Sequence, residues 1–237
     1  RRLPRRRAPR RRCAETLTMH PDPAFAIDTA ACRTVARRLG FAQVALSAGG
    51  RLALVHAPLV LAGDDTLTFH LSRRNRALPI ADGTPAIAGF VATDFYVSPD
   101  WYVVDGQVPT WNYVAVEAEG TITALDDDAL IAQIDALGAE QEARLAPKPP
   151  WTRAKMPDGR FDAMRRAIAG FTLSIAAWRG TAKLSQNKSA PDRAGAIAGL
   201  RAAGHDEAAS WMESGVAAGD VRRQTAVTAP SITPQPA

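Results

Sequence analysis

The sequence is short of the residue types on which many simple function classes depend. Only two of its 237 residues are cysteines, Cys13 and Cys32. Two cysteines provide neither a disulfide framework nor a zinc-ligand set, and the default for such a chain is a reducing compartment, the cytoplasm. The four histidines, His20, His56, His70 and His205, have no metal-ligand spacing. There is no glycine-rich phosphate loop of the GxGxxG or Walker type and no GxSxG nucleophile motif. No carboxylate pair stands out for acid–base work. A hydrolase or metalloenzyme is therefore not expected. No apolar run approaches the length of a membrane span, so no membrane partner is expected either.

Acidic residues are missing from one stretch. Residues 1–12, RRLPRRRAPRRR, hold eight arginines and no acid. The formal net charge is +5, but without this stretch 21 basic residues face 24 acidic ones. The body is mildly acidic and lacks the phosphate footprint of a nucleic-acid-binding domain. No apolar core of a signal peptide follows the arginines. Residues 1–18 read as a disordered basic extension, with the natural start at Met19. The composition, 46% hydrophobic and 22% charged, suits one globular domain over residues 19–204. Residues 205–237 read as a weakly structured tail.

What is present is mostly strand. FAQVALSA, TLTFHL and the run from Tyr113 alternate with the two-residue period of strands that bury one face. LALVHAPLVL (52–61) is apolar on both faces, which suits a central strand or one packed on another chain. PAIAGFVA, FYVS and FTLSIAAW (171–178) read as further strands. TAACRTVARRL reads as a helix. A second helix starts at Asp126–Asp128 with a stripe of Leu130, Ile131, Ile134 and Leu137. FDAMRRAI is a third, and SAPD (189–192) caps a fourth that ends near Gly204. SRRNRALPIAD (72–82) reads as a short helix or turn. Six or seven strands reachable by hairpins, with three or four helices, make an α+β fold on an antiparallel sheet, in all expectation a small barrel.

Four polar clusters stand at strand ends. In FHLSRRNRAL, His70 is followed by Ser72, Arg73, Arg74 and Asn75; hydroxyl, guanidinium and backbone N–H groups at a helix start would suit a phosphate, and a solvated basic helix end would look the same. DFYVSPDWY (94–102), VPTWNY (108–113) and WRGTAKLSQN (178–187) bring aromatics, hydroxyls and amides. Each alone also reads as a barrel cap or polar loop. Together they suit a flat polar cofactor.

The motifs HLSRRN, FYVSPDWY, VPTWNY and KLSQNKSAPDR, with MHPDPAFA at the start, resemble the PaiB family of FMN-binding negative transcriptional regulators over about Met19 to Gly204. Arg76 stands where that family usually has proline. The resemblance implies the FMN-binding split-barrel fold, a homodimer and FMN at its interface. It implies a phosphate group of Ser72, Arg73 and Asn75, with His70 nearby. The ring side would be drawn from Tyr96, Ser98, Trp111, Asn112, Lys183 and Gln186. A DNA or protein partner would follow from regulation. The alternative is a flavin-dependent oxidoreductase acting on a small substrate.

Overall fold

The structure, a computed structural model, describes residues 18–217. Six strands form a closed antiparallel barrel: β1 (Phe41–Ala48), β2 (Arg51–Leu61), β3 (Thr66–Ser72), β4 (Thr84–Val97), β5 (Thr110–Ala124) and β6 (Ile168–Lys183). Their order around the barrel is β1-β2-β3-β6-β5-β4. The alternation in the sequence is the cause. Val44 and Leu46, Val55 and Leu59, Leu67 and Phe69, Phe90, Val114 and Val116, and Leu173 all point into one buried core. The Gly49–Gly50 turn joins β1 to β2, with Ala48 paired to Arg51. Both glycines have positive φ, 55° and 77°, as a two-residue hairpin turn demands.

α1 (Thr29–Leu39) begins at the Asp28 cap and places Cys32, Val35 and Ala36 in the barrel core. α2 (Asp127–Ala143) is capped by Asp126 and packs across β2, β3 and β6. α3 (Arg160–Arg165) leads into β6. Ser189 caps α4 (Ala190–Ala202), which pairs with α5 (Asp206–Ser214). Among the described residues no helix is long and apolar enough to cross a membrane.

The α+β barrel expected from the sequence is the fold observed, with several local differences. PAIAGFVA and FYVS are one strand, β4, because the intervening residues form a bulge between Val91 and Thr93 rather than a turn. β6 runs past Trp178 to Lys183. Residues 72–82 form turns and no helix: Asn75 accepts the N–H of Ala77 on its side chain, and Pro79 has no N–H for a helical ladder. In α2 the buried positions are Leu130 and Gln133, while Ile134 faces the proline-rich loop. Residues from 205 onward are not weakly structured as far as Ala217. Ala208, Ala209, Trp211 and Met212 fall on one helical face and are buried, and the Arg38 guanidinium lies 4.6 Å over the Trp211 ring. Residues 1–17 and 218–237, most of the expected extension and tail, lie outside the described residues.

Candidate functional site

The residues singled out at strand ends fall into two groups at opposite ends of the barrel. Ser72, the last residue of β3, is paired with Ile168, the first of β6. Lys183 is the last residue of that 16-residue strand. An extended strand of this length spans up to roughly 50 Å.

At the first end, the turn after β3 is held by its own backbone. The N–H of Arg73 donates to Ala167 O (2.9 Å), and that of Asn75 to Ser72 O (2.8 Å). Ser72 Oγ accepts the Arg74 N–H at 3.2 Å, which leaves its O–H as a donor. Arg73 Nε donates to Arg166 O at 3.1 Å, so its two outer nitrogens remain available. Arg73, Arg74 and Arg76 are exposed, and none is in an ion pair among the described residues. One hydroxyl and three guanidinium groups on a five-residue turn are donors suited to a phosphate. The Asn75 side chain holds the turn through Oδ1, which accepts the Ala77 N–H, and its amide N–H groups add to these donors. His70 lies one step back on the outer face of β3, with Nδ1 2.9 Å from Gln133 Oε1 under α2.

At the second end, Tyr96 and Trp111 stand opposite each other across β4 and β5. Their rings are 6.2 Å apart, edge toward face, and each is about half exposed, 46% and 53%. The Trp111 ring N–H donates to Asp94 Oδ1 at 3.1 Å. Lys183, beside Tyr113 in register, donates to Thr110 Oγ1 at 2.6 Å. These residues share the outer lip of the barrel. The other three do not join them. Ser98 caps a short 3-10 turn through the Asp100 N–H. Asn112 is fully buried and donates to Ser185 Oγ at 2.9 Å. Gln186 has its amide committed to the backbone: its Oε1 accepts from Leu184 N, and its Nε2 donates to Ala182 O and Ala24 O.

Sequence reasoning missed the roles of three residues at this lip or in the loop beside it. Asp94 and Thr110 hold Trp111 and Lys183, and only the two-residue period connecting Asp94 with Tyr96 could have signalled it. Asp192 looks like a capping residue, and Ser189 does hydrogen-bond it. It is also buried and accepts the N–H groups of Val103 and Val104 at 2.8 and 3.0 Å. The Ser189 hydroxyl foremost, then the Val104 N–H, hold its carboxyl below the usual range.

A family model described as "Putative FMN-binding domain" matches residues 19–177. Among curated proteins, an uncharacterised protein of Aspergillus fumigatus is 31% identical over 127 residues, 46% of this chain and 49% of the relative. The protease synthase and sporulation protein PAI 2 of Bacillus subtilis is 29% identical over 97 residues, 41% of this chain and 45% of the relative. The chain spans about half the length of these relatives. Among solved structures, the FAD and heme binding protein from Mycobacterium smegmatis superposes with a TM-score of 0.47 at 22% identity, over 70% of this chain and 74% of that one. The PAI 2 similarity agrees with the resemblance carried by the motifs. The donor-rich turn suits the phosphate of FMN, the cofactor that the matching family carries. The matched span contains the barrel strands through Ala177, the arginine turn and the Tyr96–Trp111 pair, and over it the chain belongs to this FMN-binding domain family.

Proposed function

We propose that the protein binds FMN between two copies of itself and acts as a regulator of the PaiB type. The phosphate rests on the Ser72–Arg76 turn of one copy, and the ring lies against Tyr96, Trp111 and Lys183 of the other. The observation that carries this reading is the placement of the two groups at opposite ends of the 16-residue β6. The outer face of the barrel around β1 supports an interface: Phe41 (54% exposed), Leu54 (45%) and Val91 (54%) are apolar and open, and the row of His56, Gln43 and Gly89 crosses between them. When bound, the flavin supplies hydride or electron transfer. The chain's own residues would seat the phosphate, present aromatic faces and keep the ring edge in reach of the Lys183 ammonium.

A second reading is a flavin-dependent oxidoreductase, and the state of α1 favours it. This helix is the nearest candidate for a DNA-contacting basic face. Its Arg33 is paired with Asp64 and Asp65, and its Arg38 is stacked over Trp211. Those arginines serve the fold.

The first experiment is a titration of purified protein with FMN, with the mass followed by light scattering. Bound flavin with a dimer mass is expected, and a colourless monomer that takes up no FMN overturns the proposal. The second is anaerobic reduction by NADH or NADPH against retention on DNA at about 150 mM salt, where nonspecific arginine contacts have weakened steeply. Reduction well above the rate of free FMN decides for the oxidoreductase. Sequence-specific retention that survives deletion of residues 1–18 decides for the regulator.

A further inference from the structure

A cleft of about 680 Å³ separates α2 from the proline-rich loop that follows it, and none of the residues discussed above for flavin lines it. Its floor is one face of α2, with Ile134, Gly138 and Ala139; its roof is Ala146, Pro150 and Trp151. Two ion pairs hold the roof away from the floor. Arg153 grips Asp135 in a two-pronged contact at 2.5 and 2.6 Å. Lys148 pairs with Glu142, whose carboxylate also accepts the Trp151 N–H at 2.8 Å. Lys148 and then that N–H keep the Glu142 carboxyl below the usual range, so this pillar stands at neutral pH. Asp135 and Glu142 are about 10 Å apart along the helix, which leaves an open span between the pillars.

Gly138 marks the floor of that span. Glycine is among the poorest helix formers, so one in mid-helix calls for a reason. The other glycines that sit inside helices or strands with ordinary backbone angles are nearly all crowded. A Cβ would lie 2.0 Å from a neighbouring atom at Gly120, 2.9 Å at Gly170, 2.5 Å at Gly180, 2.2 Å at Gly195 and 2.4 Å at Gly199. At Gly138 a Cβ would meet nothing within 4 Å. Packing among the described residues does not call for the glycine, and its effect is to bare the helix backbone at the bottom of the cleft.

We propose that this cleft binds a neutral, largely apolar aromatic small molecule, seated on the bare helix surface at Gly138 and packed against the half-exposed Trp151. The volume lies within the range of small-molecule sites. The acids lining the cleft are paired with the bases lining it, so a charged ligand has no counter-charge to meet. The two pillars obstruct both ends, which turns away a continuous helix or strand from a partner. The site is independent of the flavin reading.

The test uses the full chain and the neutral fluorescent probe N-phenyl-1-naphthylamine. One probe per chain is expected to bind, with quenching of tryptophan emission that is lost in Trp151→Ala. Gly138→Leu fills the floor and is expected to weaken the probe at least tenfold, with circular dichroism and FMN binding unchanged. Gly138→Ala is expected to raise the melting temperature while weakening the probe, the pattern of a residue kept for binding. Should Gly138→Leu fail to fold, Trp151→Ala alone decides, since it alters only a surface loop. Absent probe binding, or binding equal in the variants and the parent, overturns the proposal. So does a change in light-scattering mass in Gly138→Leu, which would make the occupant a second copy of the chain.

Discussion

The two ends of the barrel are built from similar residue types and treat their polar atoms in opposite ways. On the Ser72–Arg76 turn the backbone is satisfied internally, while a hydroxyl and three guanidinium groups have donors to spare. At the aromatic lip two polar side chains are steered by neighbours. Trp111 donates to Asp94 and Lys183 to Thr110. What the lip offers outward is ring surface. A phosphate calls for unused donors, and a flat heteroaromatic ring calls for aromatic faces. The difference supports the proposed division of the flavin between the two ends.

The sharpest way to break this comparison is to separate the two copies that the proposal pairs. Leu54→Asp places a charge in the middle of the apolar outer face. It is expected to yield monomers by light scattering and to weaken FMN at least about a hundredfold, because each copy would then hold only half a site; that loss corresponds to about 2.7 kcal/mol. A monomeric variant with undiminished FMN affinity would show that one end suffices. The next largest effect is expected at the turn. Arg73→Ala removes a charge-assisted contact of about 1.5–3 kcal/mol, a loss of roughly ten- to a hundredfold in Kd by titration. Asn75→Ala serves as its partner experiment. Its Oδ1 holds the Ala77 N–H, so the change should lower stability by about 1 kcal/mol, and its amide N–H groups add one donor at most, so affinity should fall less than in Arg73→Ala.

These contrasts also show why the sequence revealed the barrel better than the site. Val44, Leu67, Phe69, Val114 and Val116 obey a two-residue period that only a strand with one buried face explains, so the core was legible without coordinates. α5 escaped because its alanines carry little hydrophobic signal and Trp211 and Met212 read as isolated large residues; their spacing becomes meaningful only against α1 and the barrel. At the site, the motifs located the strand ends correctly, but residue type does not disclose whether a donor is occupied. Gln186 and Asn112 looked like ring contacts because amides can serve a ring. In the structure a turn and a buried serine occupy their amide N–H groups. Nor could chain order reveal that β6 carries the two clusters to opposite ends, since that depends on antiparallel pairing with both β3 and β5.

A smaller effect is expected where the lip is structural. Asn112→Ala removes a buried hydrogen bond and leaves the Ser185 hydroxyl, itself buried, without its donor. Urea unfolding should register a loss of about 1–3 kcal/mol. FMN affinity per folded dimer should change less than about twofold, which is within the ordinary noise of a titration. If stability holds and affinity falls, Asn112 reaches the ring after all, and the contrast between an interior amide and an exterior aromatic pair is wrong.

The smallest effect is expected at Asp192, which tests whether the 103–108 loop belongs to the lip or only borders it. Its carboxylate anchors the Val103 and Val104 N–H groups, and Lys188 ties down Gln107 beside it at 2.7 Å. Because its folded pKa is depressed, the anchor contributes above the ordinary aspartate value of about 3.9 and is lost as the pH falls through the lower folded value. Around neutrality the loop should therefore be indifferent to pH. Asp192→Asn keeps the shape and removes the charge, so hydrogen exchange should quicken at Val103 and Val104 and little elsewhere. The acid-dependent loosening seen in the parent should vanish in the variant. FMN affinity should be nearly unchanged, because the side chains of the loop's exposed Val103, Val104 and Val108 offer no donor to a phosphate. A flavin loss in Asp192→Asn as large as that in Arg73→Ala would make the loop part of the ring pocket, and the aromatic end would then bind through a positioned apolar wall as well as through its rings.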